Sequence, residues 1–141
     1  MNIAAIYVDY ASAFEETYED NNWARLEKYF DVDAVYAPGD GTEIKGRENI
    51  LQHLRTSLDG MDRRFDSRKL EMPSDPEVTG DQTSVQWKIS YQKSGIPDLS
   101  FGGLEIATFK GDLISKLEDR LDDGVPAALQ GWMEKHGASL A

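Results

Sequence analysis

Cysteine is absent from all 141 residues. That excludes disulfides, zinc–thiolate sites and thiol nucleophiles together. Basic residues are scarce: 15 Lys and Arg against 26 Asp and Glu give a formal charge of -11. A negative surface repels phosphate backbones, so no nucleic-acid partner is expected. The basic cluster Arg63-Arg64 with Arg68-Lys69 is interrupted by Asp62 and Asp66 and reads as a solvated face. No apolar run approaches the ~20 residues of a membrane helix, so no membrane partner is expected either. The start, MNIAAIYVDYASAFEE, has neither the positive charge nor the unbroken apolar stretch of a signal peptide, and a cytoplasmic protein is the expectation. Only two histidines occur, His53 and His136, far apart and without His-x-x-x-His or Glu-x-x-His spacing. No metal site and no cofactor are expected from them. Gly-x-Gly-x-x-Gly, P-loop and Gly-x-Ser-x-Gly motifs are missing. Gly102-Gly103 precedes a strand rather than a helix N-terminus; it reads as a bulge that bends a sheet, not as a phosphate cradle.

What is present describes one folded domain over residues 1–141. Hydrophobic residues make up 40% and charged residues 29%, which is ordinary for a globular chain. Ile3, Ile6, Tyr7, Tyr10, Ala11, Phe14 and Tyr18 recur at three- and four-residue steps, which predicts a helix over 3–20. Asn21-Asn22 breaks it, and Trp23 to Phe30 reads as a second, short helix. Asp33 to Pro38 is a short strand, GDG at 39–41 a turn, and Thr42 to Lys45 a short return strand. Arg47 to Leu58 carries Ile50, Leu51, Leu54 and Leu58 on one stripe and predicts a third helix. From Arg64 onward the pattern is mostly strand, with Pro73 and Pro76 marking a bend in an edge strand. Ser84 to Gln92 alternates cleanly, with Val85, Trp87, Ile89 and Tyr91 on one face. Pro126 opens a last helix that runs to His136. Helices first and antiparallel strands after predict an α+β class, a curved antiparallel sheet packed against three N-terminal helices with an extra C-terminal helix.

The stretch Phe101 to Asp122 reads as two long antiparallel strands joined at Lys110-Gly111-Asp112. One face carries Glu105, Ala107 and Phe109, then Ser115, Leu117, Asp119 and Leu121. Two carboxylates thus lie on an otherwise apolar face. A carboxyl kept from solvent beside a second carboxyl has a raised pKa and can exchange protons near neutrality. Glu105 and Asp119 are therefore the candidate acid–base groups, with Tyr36 as a hydrogen-bond donor. Against this stand a salt bridge or backbone bond for Glu105, a loop N–H for Asp119, and a plain core position for Tyr36. Trp87, Ile89 and Tyr91 are candidate walls of a pocket or members of the core. His53, beside Leu54, is a candidate pocket base or a half-exposed helix-flank residue.

The ordered set FEETYEDNNWARLEKYFDVDAVYAP, IKGRENILQHL, GDQTSVQWKISY and GLEIATFKGDLISKLEDRLDD resembles the nuclear transport factor 2-like superfamily, in particular its SnoaL-like branch. The likeness covers about residues 5 to 123. It implies a cone-shaped barrel with an interior pocket for an apolar or amphipathic small molecule, and a homodimer through the outer sheet face. The superfamily includes ketosteroid isomerases, limonene epoxide hydrolases and polyketide cyclases beside many non-catalytic binding domains, so fold alone does not give chemistry. Against the isomerases, Phe14 stands where the oxyanion-hole tyrosine would be, Pro38 where the base would be, and Glu105 near the second acid. Against the epoxide hydrolases, Tyr36 and Asp119 match, but Pro38 replaces an asparagine and no Arg-x-Asp pair aligns. Asp119 also lies close to the acid/base position of the cyclases. The resemblance thus implies a ligand-binding pocket without known activity, with Phe14 and His53 among its lining residues. The alternative is a small cyclase, isomerase or hydrolase that uses Asp119 or Glu105 as its acid/base. A third, structural reading has Trp87, Phe101, Phe109 and Trp132 filling the interior beneath the last helix.

Overall fold

The computed structural model describes residues 2–140. Helix α1 (Ile3–Asp20) begins where the Asn2 side chain accepts a hydrogen bond from the Ala5 N–H, 3.2 Å away. It ends at Asn21, whose left-handed backbone (φ 60°) is a conformation that asparagine tolerates better than most residues. Residues Trp23–Tyr29 form a 3-10 helix rather than the expected α-helix. Its two buried side chains, Leu26 and Tyr29, lie three residues apart. A three-residue turn stacks them on one face, which a short segment pinned between Asn22 and a strand can use. Helix α2 (Arg47–Gly60) buries Ile50, Leu51, Leu54 and Leu58 as its sequence stripe requires.

The strands are β1 (Phe30–Ala37), β2 (Ile44–Lys45), β3 (Ser67–Glu71), β4 (Glu77–Thr79), β5 (Gln82–Gln92), β6 (Leu99–Lys110) and β7 (Leu113–Leu121). They form one curved, unclosed sheet in the order β2-β1-β7-β6-β5-β3, with β4 also pairing β5. The pairing is antiparallel except between β1 and β7, which run parallel. β3 and β4 pair opposite halves of β5, and the Pro73–Pro76 stretch separates them. The prolines interrupt one edge rather than the sheet interior, because they lack the N–H a ladder needs. Helix α3 (Val125–His136) follows β7, with Pro126 in its first turn.

Two details of the sheet depart from the expected pattern. In β7 the alternation slips at a register shift between Thr108 and Phe109. Ile114, not Ser115, therefore turns into the core, and the Ser115 hydroxyl donates to the Thr108 carbonyl at 3.1 Å. The Gly102-Gly103 pair lies in unbroken register with Lys88 and Trp87, so it is not a bulge. A Cβ on Gly103 would sit 2.7 Å from Trp87 Cζ2 and would also meet the Arg120 carbonyl. The residue is bare so that the indole can lie across it.

Two hydrophobic clusters result. One joins α1, the 3-10 turn and α2 to β1 and the β6–β7 hairpin through Tyr10, Leu26, Phe30, Ile50, Ala107 and Leu117. The other gathers Phe65, Ile89, Tyr91, Leu99 and Leu140, against which Leu129 and Trp132 of α3 pack. Among the described residues no helix is long and apolar enough to cross a membrane.

Candidate functional site

Residues of both clusters line one cavity of about 260 Å³. An apolar hole of ~150 Å³ takes a benzene ring, so this one has room for a molecule of roughly bicyclic size. Its wall is mostly apolar: Ala11, Phe14, Leu54, Leu58, Leu70, Met72, Trp87 and Leu117.

The polar end is built on the hairpin. Antiparallel pairing sets Glu105 of β6 directly opposite Asp119 of β7, on the face shared by Ala107 and Leu117. Side chains at such positions are near neighbours. Tyr36 of β1 pairs with Leu117 in parallel register, and its hydroxyl donates to Asp119 Oδ2 at 2.5 Å. From the other side, Tyr7 of α1 donates to Glu105 Oε1, also at 2.5 Å. Such lengths are those of phenol bonds to charged or charge-sharing carboxyls. The result is a chain, Tyr7–Glu105–Asp119–Tyr36, across the end of the cavity. Tyr10 lies beside it, 4% exposed and lining the cavity, and its hydroxyl meets no partner among the described residues.

The electrostatics follow from this packing. Burial pushes the Glu105 carboxyl well above its usual range; the Asp119 charge and the hydrogen bond between the two carboxyls push it further, and the Tyr7 bond opposes them. Burial, then the neighbouring carboxyls, raise the Tyr7 and Tyr36 phenols, which therefore stay protonated donors. The pair can thus hold one shared proton between two fixed phenol donors.

Gly39 holds this end in register. Its backbone (φ +99°) folds over β7, and a Cβ there would lie 2.6 Å from the Asp119 carbonyl oxygen. The glycine that follows β1 is thus required by close approach as well as by the turn.

A second polar group borders the cavity away from the carboxyl pair. Arg68 Nε donates to Asp62 Oδ2 at 2.8 Å and Nη1 to Glu15 Oε1 at 2.6 Å, and the guanidinium lies 4.7 Å from the Tyr18 ring centre. Its side chain is only 4% exposed. Tyr91 pairs with Arg68 across β3 and β5, and its phenol is raised by burial and then by the Asp62 charge. This corrects the reading of 63–69 as one solvated basic face. Arg63, Arg64 and Lys69 are exposed, but strand alternation turns Arg68 inward.

Of the residues singled out from the sequence, the cavity brings together Asp119, Glu105, Tyr36, Trp87, Tyr91 and Phe14. Ile89 does not reach it; its short branched side chain is buried in the distal cluster. His53 does not reach it either. It lies on the flank of α2 with its ring 5.7 Å from that of Tyr36, one position round the helix from the lining residue Leu54. Phe101, Phe109 and Trp132 pack elsewhere and leave the interior open. Sequence comparison missed the phenol on Glu105: it comes from Tyr7, two helical turns before Phe14. The signal was the Tyr7, Tyr10, Phe14 stripe, which reads equally well as plain core. Arg68 and Asp62 were missed because burial of a charged pair leaves no local mark.

No protein-family model matches the chain, and no curated protein matches it. Solved structures do. TerC, co-crystallised with polyporic acid, superposes with a TM-score of 0.67 at 12% identity, over 92% of this chain and 98% of that one. An NTF2-like protein of unknown function from Burkholderia pseudomallei gives 0.67 at 11% identity, over 92% and 98%. An uncharacterised cystatin-fold protein from Novosphingobium aromaticivorans gives 0.60 at 20% identity, over 84% and 97%. At such identities the likeness is one of fold: this chain has the NTF2-like, cystatin-like α+β fold.

Proposed function

We propose that this NTF2-like chain is a small-molecule-binding domain. It holds an amphipathic molecule of roughly bicyclic size, with its apolar body against Phe14, Leu54, Leu58 and Trp87 and its polar head at Glu105 and Asp119. The observation that carries this reading is the Glu105–Asp119 carboxyl pair, held by two phenols, at one end of a mostly apolar cavity. Pockets of this kind take orientation from a few polar groups and affinity from apolar walls. The TerC structure with polyporic acid shows that a protein of this fold has been crystallised with an organic ligand.

A second reading is favoured by one observation, the Glu105 carboxyl set directly opposite Asp119, where burial and that neighbour both favour its protonated form. A buried carboxyl that keeps its proton beside a second carboxyl can pass it to and from a ligand, which is general acid–base chemistry. One experiment addresses both readings. Bicyclic fragments are screened by ligand-observed NMR against the wild type and Ala11→Phe, which places a ring in the cavity from α1. Hits that vanish in Ala11→Phe support the cavity as the site; hits that bind both equally overturn it. Hits carrying a C–H next to a carbonyl are then followed in D2O. Deuterium uptake faster than in buffer, and lost in Asp119→Asn, assigns proton transfer. No acceleration leaves a binding domain.

A further inference from the structure

The cavity is rich in acid and, among the described residues, has no uncommitted cation. Three carboxyls line it, Asp62, Glu105 and Asp119, against one cation, Arg68. Arg68 is committed to Asp62 and Glu15 by two hydrogen bonds. Neither Glu105 nor Asp119 has a salt-bridge partner among the described residues. The groups facing the pair are Tyr7 and Tyr10 from α1 and Tyr36 from β1, all neutral phenols. His53 of α2 lies behind the Tyr36 ring and outside the cavity. Buried carboxylates are ordinarily paired with a cation. Here the described residues supply none, which leaves a proton or a guest as the counter-charge.

We propose that the head group taken at the Glu105–Asp119 pair is an organic cation, an ammonium on an aryl or alkyl body, and that its entry displaces the proton the pair shares. The inference rests on the cavity being the ligand site. Three aromatic walls, Tyr7, Tyr10 and Tyr36, border the same end. Ring faces attract cations, more strongly where water is excluded. Tyr10 supplies the second observation: a residue 4% exposed that lines the cavity, its hydroxyl without a hydrogen-bond partner among the described residues and so free to turn its oxygen toward the charge of the guest. A guest charge beside the pair favours the doubly ionised state, so the proton leaves to solvent as the cation enters. By the same linkage, cation affinity rises with pH while the empty pair still holds its proton.

The test uses benzyltrimethylammonium, a permanent cation that cannot itself titrate. Benzyl alcohol is the neutral counterpart and benzoate the anionic one. Binding to the whole protein is followed by tryptophan fluorescence and by calorimetry at pH 7 in phosphate and in Tris, whose ionisation heats differ. The expected result is cation binding about tenfold or more tighter than benzyl alcohol, no binding of benzoate, and release of up to one proton per cation. Affinity for the cation should rise with pH above 4.5, the ordinary value of a glutamate carboxyl, until the empty pair has lost its proton. Glu105→Gln should still bind the cation but release no proton; Asp119→Asn is the second such variant if Glu105→Gln does not fold. Benzyl alcohol binding as tightly as the cation overturns the inference and leaves the cavity reading intact. Tighter benzoate binding overturns it in favour of the Arg68 end. A cation bound without proton release overturns the displacement. If none of the three probes perturbs the protein, the inference falls, and the Ala11→Phe fragment screen decides the cavity reading separately.

Discussion

At the scale of single residues the unusual group is Glu105. Its carboxyl is pushed well above its ordinary value of 4.5, first by burial and then by Asp119. The sign of the effect on stability follows. Above pH 4.5 the unfolded chain has released this proton and the folded chain still holds it. The contribution is therefore fully present below that pH and is lost as pH rises through the folded value. Glu105→Gln cannot titrate and escapes the loss. Its stability relative to the wild type should climb with pH, by at most ~1.4 kcal/mol per unit for one proton. Urea unfolding of both proteins at pH 5, 7 and 8.5 checks this; a constant difference would show that Glu105 is not held protonated. The two carboxyls were legible from alternation along their strands, and Tyr36 from the resemblance to the epoxide hydrolases. Tyr7 and Tyr10 were legible only as an apolar stripe, because a phenol and a phenyl ring serve a helix face equally well. Arg68 was legible as a charge and not as a buried one.

At the scale of elements, the β6–β7 hairpin carries the site and its neighbours hold it in place. The pairing of Glu105 with Asp119 needs only that two strands meet at Gly111-Asp112, which is why the sequence shows it. The register shift nearer the turn, which exchanges Ser115 for Ile114, has no sequence signal of its own; Ile114 is the better core residue, and packing selects it. Gly103 marks a tighter constraint. An added methyl would meet both the Trp87 ring and the Arg120 carbonyl, and the backbone oxygen cannot swing aside as a side chain can. Gly103→Ala should cost ~1–3 kcal/mol and move Trp87 from its place in the cavity wall. Thermal unfolding and the tryptophan emission maximum report the two effects separately. Wild-type values for both would mean that the sheet yields there freely. The 3-10 turn at Trp23–Tyr29 was read as an α-helix because a three-residue spacing of apolar residues is common to both.

At the scale of the molecule, the formal charge of -11 works against the compact state. Raising ionic strength from 0.01 to 0.15 M shortens the screening length from ~30 to ~8 Å, so the melting temperature should rise over that range. The surface ion pairs, such as Lys116 with Glu118 at 3.2 Å, are weakened by the same salt but contribute little each. A melting temperature that falls with salt would show that those pairs outweigh the repulsion. The acidic balance also accords with a cavity that lacks a counter-ion, since the surrounding field favours the approach of a cation.

The sequence by itself determined the order of helices and strands, the alternation that puts Glu105 and Asp119 on the dry face, and the exclusion of thiol chemistry. Each of these depends on the nature and spacing of nearby residues, which the chain displays directly. Tertiary structure alone decided that Tyr7 meets Glu105, 98 residues away, and that Tyr36 meets Asp119. It also decided that Arg68 is enclosed, that His53 and Ile89 stand outside the cavity, and that β1 runs parallel to β7. Those outcomes depend on how a curved sheet closes over its helices, and so on distances between residues whose separation in sequence carries no information about their separation in space.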